Sequence, residues 1–346
     1  MADALIEVVS GGPGCTVQDA GRVGQRHGGI ALAGALVPPL ADAANALVGN
    51  LAGAACLEWR GLGLVLRVLR GPVRVAMAGA VRGALSRGDG PWRPLATWRS
   101  ATLGEGDRLQ LGAALAGCGY LALGGGVLVP TVLGSRSTHV RTRLGGLDGR
   151  MLRPGDRLPC ARRSDGRTDE RMAHAPVPLP TGPIRILWGP QDDHFTAEAR
   201  AQFLSTDWCV TPEQDRMGMR LAGPALAHTS AAAADIVSDG VVPGAIQVPA
   251  NGQPIVLLAD GQTVGGYPKI ATVIRADLPR LALLSPGGTL RFAAVEASTA
   301  RRALLAAHAD WQAWVAALVP CPPEGWLDEA ALYNDNLVSG MLRAEP

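Results

Sequence analysis

The sequence RVGQRHGG at residues 22–29 is matched by RMGMRLAG at residues 216–223. Both stretches contain the pattern Arg-x-Gly-x-Arg-x-x-Gly, and two occurrences of so specific a pattern in one chain indicate a duplicated unit. The sequence around each stretch repeats as well, and the matching blocks come in the same order. The chain is therefore predicted to contain two related units in tandem.

Four pairs of flanking blocks support this duplication. The paired blocks are 6–9 with 184–187, 53–57 with 244–248, 72–77 with 254–259, and 103–109 with 284–290. Each repeat is about 110 residues long. The predicted organisation is a first unit over 1–160 with an extra segment at about 113–158, a linker over 161–182, a second unit over 183–296, and a C-terminal helix and tail over 297–346.

Short apolar runs bounded by glycine or proline dominate both units, for example LVLRVL at 64–69 and IRILW at 184–188. Their length and their boundaries favour strands over helices. Three segments show helical periodicity instead: 39–48, 197–204 and 298–318. The predicted fold is mainly β, with two tandem barrel-like units, few helices and a C-terminal helix.

The composition is that of a well-packed globular protein. Of 346 residues, 47% are hydrophobic and 18% are charged, and the net charge is +2, so the basic face that duplex nucleic acid requires is not expected. No basic segment precedes an apolar run at the N-terminus, so no signal peptide is predicted. The uncharged stretch 111–135 contains seven glycines and one proline, which favours strands and tight turns over a membrane-spanning helix. We expect no nucleic-acid partner and no membrane segment.

Six cysteines lie far apart in the sequence and show no Cys-x-x-Cys spacing. This pattern is typical of buried cysteines in a reducing compartment. It predicts a cytoplasmic protein with neither a disulfide framework nor a metal site.

The densest cluster of candidate functional residues lies in GAIQVPANGQPIVLLADGQTVGGYPKIATVI at 244–274. An apolar strand is predicted to end at Asp260, and a glycine-rich turn follows it. Exposed N–H groups of such a turn can hold a carboxylate or a carbonyl oxygen. The candidate catalytic residues are Asp260, Tyr267 and Lys269, and the candidate substrate-binding residues of the turn are Thr263, Gly265 and Gly266. The alternative is a structural hairpin whose polar groups satisfy one another.

Lys269 is the only lysine among 32 basic residues. A P-loop requires Gly-Lys-Ser/Thr, and covalent biotin requires a lysine between methionines or similar residues, so neither is predicted. A position that keeps lysine is typical of a site that needs a compact, titratable ammonium group. The alternative is a single surviving surface lysine.

The repeated motif supplies a second group of candidates. Arg216 and Arg220 are candidate anchors for a substrate carboxylate, because a guanidinium group can bind a carboxylate through two hydrogen bonds. The motif occurs in both units, so Arg22 and Arg216 equally suit a structural role at a barrel end. Asp19 and Asp215 are their predicted partners.

Two further features are candidates. His194 is the histidine best placed in the sequence for proton transfer, and a surface histidine is the alternative. The polar, glycine-led loop GSRST occupies 134–138.

Several blocks resemble the allophanate hydrolase subunit 2 or KipA-type family. The matching blocks are TVQDAGR at 16–22, ALVGN at 46–50, LGSRST at 133–138, DRMG at 215–218, and a long block that runs from IQVP at 246–249 through NGQPI at 251–255 to GGYP at 265–268. Gln247 in the long block is a further candidate substrate-binding residue. GIALAG at 29–34 departs from the more polar Ser-Gly ending of the family, and arginine can stand in the family where Lys269 stands.

The resemblance implies two tandem cyclophilin-like β-barrels, in agreement with the duplication. The family includes a component of the bacterial ATP-dependent 5-oxoprolinase, so the implied reaction is the opening of 5-oxoproline to glutamate. It implies two partners, a KipI-type (allophanate hydrolase subunit 1) protein and a LamB/YcsF-type subunit. ATP would be used by the complex, and no cofactor would be bound covalently to this chain.

Two alternatives follow from the same resemblance. One is a biotin-dependent carboxyltransferase like the corresponding part of urea carboxylase, in which the glycine-rich turn would hold biotin. The other is a KipA-type regulator that binds a KipI-type kinase inhibitor. We expect a stable hetero-oligomer with the KipI-type subunit, in which the 265–269 loop faces a cleft near that interface.

Overall fold

The structure, a computed structural model, describes residues 4–161 and 170–322. Over residues 4–161, the first unit consists of eleven strands and one α-helix, α1 (Pro38–Val48). Its strands are β1 (Ala4–Gly11), β2 (Cys15–Gln18), β3 (Cys56–Gly61), β4 (Leu64–Arg70), β5 (Val73–Ala78), β6 (Gly83–Ser86), β7 (Arg93–Leu95), β8 (Ser100–Leu103), β9 (Arg108–Leu111), β10 (Ala114–Leu123) and β11 (Arg157–Cys160).

These strands form two antiparallel sheets that enclose a hydrophobic core. The strand orders are β11-β1-β4-β9-β6-β7 and β2-β3-β10-β5-β8. Alternate residues of β5 point to opposite faces, as the pleat of a strand requires. Val75 and Met77 enter the core between the sheets, whereas Ala76 and Ala78 face away from it.

Helix α1 covers the outer face of the second sheet. Prolines occupy its first turn, where no intrahelical N–H donor is needed, and Gly49 ends it with a φ of 79°. Leu40, Leu47 and Val48 are buried against the sheet and the second unit.

The second unit begins after a short strand, β12 (Arg171–Met172), which pairs with β23 (Val319–Pro320) near the end of the described chain. Its strands are β13 (Ile184–Trp188), β14 (Trp208–Gln214), β15 (Gly218–Ala222), β16 (Asp239–Gly240), β17 (Ala245–Gln247), β18 (Ile255–Leu257), β19 (Val264–Gly265), β20 (Lys269–Val273), β21 (Thr289–Leu290) and β22 (Phe292–Ala294). The helices are α2 (Ala197–Ser205), α3 (Leu278–Leu281) and α4 (Ala297–Ala316).

Eight of these strands form a sheet that curls into a nearly closed barrel. Their order is β21-β14-β15-β18-β17-β20-β13-β22. The two edge strands, β21 and β22, are separated in sequence by Arg291 alone, so the edges of the sheet approach each other. Such closure removes most of the exposed strand edge.

A single hydrophobic cluster joins the two units. It contains Leu47 of α1, Tyr120 of β10, Ile246 of β17 and Phe203 of α2. The C-terminal helix α4 adds Trp314, whose Nε1 donates to the Ala175 carbonyl at 2.9 Å. Because this core is continuous, the units are held in a fixed relation across their junction.

The structure confirms a mainly β fold with few helices and a C-terminal helix. The uncharged stretch at 111–135 contains the strand β10, as predicted. Helix α3 was not predicted, because four residues are too few for a helical repeat to show. The internal duplication and the unit boundaries stay predictions, and residues 162–169 of the linker and 323–346 of the tail lie outside the described residues. Among the helices of the described ranges, every one is too short or too polar to span a bilayer.

Candidate functional site

A cavity of about 530 Å³ lies at the junction of the two units. The first unit contributes residues 29–31, directly after its copy of the repeated motif, and the hairpin 139–144. The second unit contributes Met217 of the second motif and residues of the segment 260–264 that follows β18. The volume is within the range of small-molecule sites, so this cavity is the candidate functional site.

Arg216 lies beside this cavity and holds two carboxylates. Its Nε and Nη2 donate to Oδ2 and Oδ1 of Asp260 at 3.0 and 2.8 Å. Its Nη1 donates to Oε1 of Glu58, on β3 of the first unit. Burial alone would lower the pKa of Arg216, but the Glu58 and Asp260 carboxylates outweigh burial and raise it above the ordinary arginine value.

The Glu58 carboxylate is itself fully buried and bound by other donors. Its Oε2 accepts hydrogen bonds from the Tyr120 hydroxyl at 2.6 Å and from the Leu36 N–H at 2.8 Å. Burial and the neighbouring Glu58 charge raise the pKa of Tyr120 well above its usual value, so Tyr120 stays a donor. The arginine, two carboxylates and tyrosine form one buried network that spans both units.

The network differs from the pairing expected from sequence. Asp215 does not pair with Arg216: its Oδ1 accepts the N–H groups of Met217 and Gly218 at 2.7 and 3.1 Å and shapes the turn before β15. The prediction for Asp215 was wrong, because a short aspartate side chain readily binds N–H groups of its own turn. The role of Arg216 as a substrate anchor stays a prediction, and it would require Arg216 to exchange a protein carboxylate for that of the substrate.

Asp260 and Thr263 are the two predicted site residues that line the cavity. Both oxygens of the Asp260 carboxylate are bound by Arg216. For Asp260 to act as a base, this ion pair would have to loosen. Gln262, between them, also lines the cavity, and its Nε2 donates to Oε1 of Gln247 at 3.2 Å.

The rest of the glycine-rich turn lies next to the cavity and not among the residues that line it. Gln247 is buried directly against Gly265: a Cβ atom at Gly265 would lie 2.4 Å from the Gln247 Nε2, so a larger residue there would displace the Gln247 side chain. Lys269 is 4% exposed and its Nζ donates to Oδ2 of Asp239 at 2.7 Å. Tyr267 is 42% exposed and Gly266 lies beside it. The structure therefore separates this turn into a cavity-lining part at 260–264 and an outer part at 265–269.

Two other candidates lie away from the cavity. Arg220 is exposed on β15 and pairs with Glu213 at 2.9 Å. His194 is partly buried in a short 3-10 helix, and its Nδ1 contacts the Ala233 carbonyl at 2.9 Å. Neither residue lines the cavity.

The hairpin 139–144 brings His139, Arg141 and Thr142 to the cavity wall, and none of the three was predicted from the sequence. The His139 Nε2 faces the Asp260 carbonyl at 3.3 Å and Nδ1 lies 2.6 Å from Oγ1 of Thr142. A carbonyl only accepts, so the neutral ring that satisfies both contacts carries its proton on Nε2 and accepts from Thr142. The only sequence signal was their position directly after the GSRST loop.

The GSRST loop is wrapped around Asp19. Its Oδ1 accepts hydrogen bonds from the hydroxyls of Ser135 and Ser137, both at 2.5 Å, and its Oδ2 accepts the Arg136 N–H at 2.5 Å. Asp19 also accepts the Gly21 N–H at 2.8 Å. These bonds fix the loop, and with it the start of the hairpin that follows.

Arg22 lies behind this loop and is fully buried. Its Nη2 donates to the Ser137 carbonyl at 2.6 Å, while Nε and Nη1 have no hydrogen-bond partner among the described residues. Burial lowers the pKa of Arg22, and the nearby charges of Asp19 and Asp260 act against that effect. The two copies of the motif thus place their first arginines in different surroundings.

The chain belongs to the family described as the carboxyltransferase domain, subdomain A and B, whose model matches residues 28–294. It is 39% identical to the C subunit of the 5-oxoprolinase of Escherichia coli over 83% of this chain and 90% of the relative. It is 34% identical to the C subunit of the 5-oxoprolinase of Haemophilus influenzae over 86% of this chain and 94% of the relative. These names are those of a subunit, so the chain is related to components of a multi-subunit enzyme.

The structure is also similar to the crystal structure of the K. lactis urea amidolyase. The TM-score is 0.80 at 26% sequence identity, over 91% of this chain and 20% of the amidolyase chain. This chain therefore corresponds to a segment of about one fifth of the amidolyase chain, and that segment has the same fold as this chain.

Proposed function

We propose that this chain is a subunit of an ATP-dependent 5-oxoprolinase, which opens 5-oxoproline to glutamate together with a KipI-type and a LamB/YcsF-type subunit. The main support for this proposal is the sequence similarity to two 5-oxoprolinase C subunits, which covers at least 90% of each subunit. The cavity at the junction of the two units is the proposed binding site for the lactam.

The chemistry explains why several subunits would cooperate. A lactam carbonyl is a poor electrophile, so its opening needs activation of the carbonyl oxygen, by phosphorylation or by aligned donors. The sequence of this chain contains no P-loop motif, and we assign the ATP-dependent step to a partner. In this proposal, this chain binds the lactam and orients its amide.

The roles within the site follow from the geometry. Thr263 and Gln262 line the cavity and offer a hydroxyl and an amide to the lactam. Asp260 also faces the cavity, held by Arg216. We propose that the outer part of the turn, with exposed Tyr267 and the buried Lys269–Asp239 pair, meets a partner subunit and completes the site. The N–H group of Gly266 would then lie at that junction.

A cytoplasmic location is part of the proposal. All six cysteines are unpaired in the structure, and four of them are buried. Burial raises the pKa of the Cys15, Cys56, Cys118 and Cys160 thiols above their usual value, which keeps them protonated and unreactive.

A biotin-dependent carboxyltransferase is the second candidate function. The family description and the structural similarity to urea amidolyase favour it. The cavity would then hold the ureido group of biotin next to an amide or urea nitrogen. The urea amidolyase relatives are much longer chains: this chain matches only 17% of the urea amidolyase of Lachancea kluyveri.

A substrate comparison separates the two functions. The purified chain is mixed with its KipI-type and LamB/YcsF-type partners and ATP. One reaction is supplied with 5-oxoproline, and the other with urea, bicarbonate, biotin and a biotin carboxylase that forms carboxybiotin. The 5-oxoprolinase proposal predicts glutamate in the first reaction and no carboxylated urea in the second. Carboxylated urea without glutamate would establish the carboxyltransferase instead, and tight KipI-type binding with neither product would indicate a regulator.

A further inference from the structure

Arg141 is the one arginine or lysine among the described residues that line the cavity. Its side chain is exposed and has no carboxylate partner in the described parts of the chain; its Nη1 lies 3.0 Å from Sδ of Met217. A thioether is a weak acceptor, whereas a guanidinium has five strong donors. Arg141 therefore keeps most of its hydrogen-bonding capacity for a molecule in the cavity.

The acidic groups near this wall are already bound. Asp260, the one carboxylate among the lining residues of the described chain, is held by Arg216 through both oxygens. Asp19 accepts four hydrogen bonds from residues 21 and 135–137. Neither carboxylate is available to neutralise Arg141.

A second positive charge lies behind the same wall. Arg22 is fully buried, and its Nε and Nη1 are without partners among the described residues. Gly145, next to the lining residue Leu144, packs directly on it: a Cβ atom on Gly145 would lie 2.1 Å from the Arg22 Nη2. A buried cation favours negative charge nearby, and the Asp19 and Asp260 carboxylates supply part of it.

The remaining lining residues are neutral. Ile30, Leu144 and Val264 offer apolar surface, while Thr142 and Gln262 offer a hydroxyl and an amide. A small ring that carries one carboxylate and one amide satisfies all of these groups together.

We propose that Arg141 binds the carboxylate of the substrate, so that the cavity selects a lactam with a carboxylate over an uncharged amide or urea. The identity of the lactam rests on the function proposed above, whereas the preference for a carboxylate rests on Arg141 and its surroundings. Arg141 is thus a specificity-determining residue, and Arg216 and Arg220 are not needed to hold the carboxylate.

The test compares two ligands on the purified full-length chain by calorimetry: 5-oxoproline and its uncharged primary amide. The wild-type chain is expected to bind 5-oxoproline at least about tenfold more tightly, because a hydrogen-bonded charge pair is lost with the amide. Arg141→Gln is expected to abolish this preference and to leave binding of the amide unchanged. Arg141→Lys, which keeps the charge and loses the two-pronged geometry, is expected to fall between them.

Arg143→Gln is the matched control. Arg143 lies two residues from Arg141 and carries the same charge, but its side chain does not line the cavity. It is expected to bind both ligands as the wild type does. Equal affinity of the wild-type chain for the two ligands, binding of neither, or an unchanged preference in Arg141→Gln would overturn the proposal.

The same variants separate this inference from the proposed function. If the assembled complex releases glutamate and Arg141→Gln keeps the wild-type KM for 5-oxoproline, the inference fails and the function stands. If the wild-type complex releases no glutamate while the chain still prefers the carboxylate through Arg141, the function fails and the cavity serves another carboxylate.

Discussion

Arg216, on the turn between β14 and β15, forms an ion pair with Glu58 on β3, although 158 residues separate them in sequence. The same guanidinium holds both oxygens of Asp260 and donates to the Gly34 carbonyl at 2.7 Å. The Arg216 side chain thus links the second unit to the first through ion pairs and hydrogen bonds at the edge of the cavity. Several consequences of this arrangement can be measured.

Replacing Arg216 with methionine leaves the Glu58 and Asp260 carboxylates buried without their cation. Breaking a buried pair in this way costs about 3–5 kcal/mol, so we expect the free energy of unfolding to fall by that amount in urea denaturation. Arg220→Met is the control from the same motif, because its exposed pair with Glu213 contributes about 0–1 kcal/mol. Equal losses in the two variants would show that the Arg216 network does not hold the units together.

Gly145→Ala is expected to destabilise the protein through Arg22. Gly145 has a φ of +68° and its new Cβ atom would meet the Arg22 Nη2 at 2.1 Å and the Ser137 carbonyl oxygen at 2.2 Å. Gly134→Ala is the control, since Gly134 has a φ of +80° with no atom within 4 Å of its Cβ position. Both variants carry the left-handed backbone cost of about 1–2 kcal/mol, and Gly145→Ala should lose about 1–3 kcal/mol more from overpacking. Matching unfolding free energies would mean that the wall around Arg22 is loosely packed.

Acid stability should depend on Asp107, in the turn between β8 and β9. Burial would raise the pKa of Asp107, but hydrogen bonds from Arg87 and from the N–H groups of Gly104 and Gly88 outweigh it and lower the pKa. A lowered folded-state pKa stabilises the protein above the unfolded-state value of about 3.9, and this contribution is lost as pH falls through the folded-state pKa.

Asp107→Asn is therefore expected to have a lower Tm than the wild type at pH 6, and the difference should shrink as the pH falls below about 4. The measurement is the Tm of both proteins in thermal melts at a series of pH values from pH 6 to below about 4. Asp89→Asn, at the fully exposed partner of Arg108, should show no such pH-dependent difference. A Tm difference between Asp107→Asn and the wild type that is the same at every pH would contradict this role of Asp107.

Much of the fold could be predicted from the sequence, because strands and helices are encoded in short-range periodicity. The predicted bounds of helix α1 were within one residue of the observed ones, because prolines mark its start and Gly49 marks its end. The turns at 106–107 and 287–288, next to β9 and β21, carry glycines that mark hairpins in any context.

The cavity could not be predicted in the same way, because it depends on contacts between distant residues. Asp19 binds Ser137 across 118 positions, and His139 meets Asp260 across 121. No periodic pattern encodes such a contact. The glycine-rich turn was found from composition alone, which placed Asp260 and Thr263 in the site but did not distinguish them from the outer residues Tyr267 and Lys269.

Tyr267→Ala tests whether the outer part of that turn takes part in the reaction. Tyr267 is 42% exposed, so its removal should leave the fold and the assembly with the KipI-type subunit intact on a sizing column. We expect glutamate release by the complex to be abolished, because Tyr267 would complete the site at the subunit junction. Val237→Ala changes a 94% exposed residue next to Ile236, whose N–H donates to the Gly266 carbonyl at 2.8 Å, and should behave as the wild type. A Tyr267→Ala chain that unfolds or fails to assemble would show that the turn is structural.

Whether this chain is a required subunit of a 5-oxoprolinase is tested by reconstituting the complex with and without it. Glutamate and ADP are measured as a function of time from 5-oxoproline and ATP, with the KipI-type and LamB/YcsF-type partners held constant and this chain added or omitted. We predict glutamate release that appears only when the chain is present, rises with its concentration up to equimolar amounts, and is accompanied by ADP. Glutamate at the same rate without the chain, or none with it, would contradict the claim.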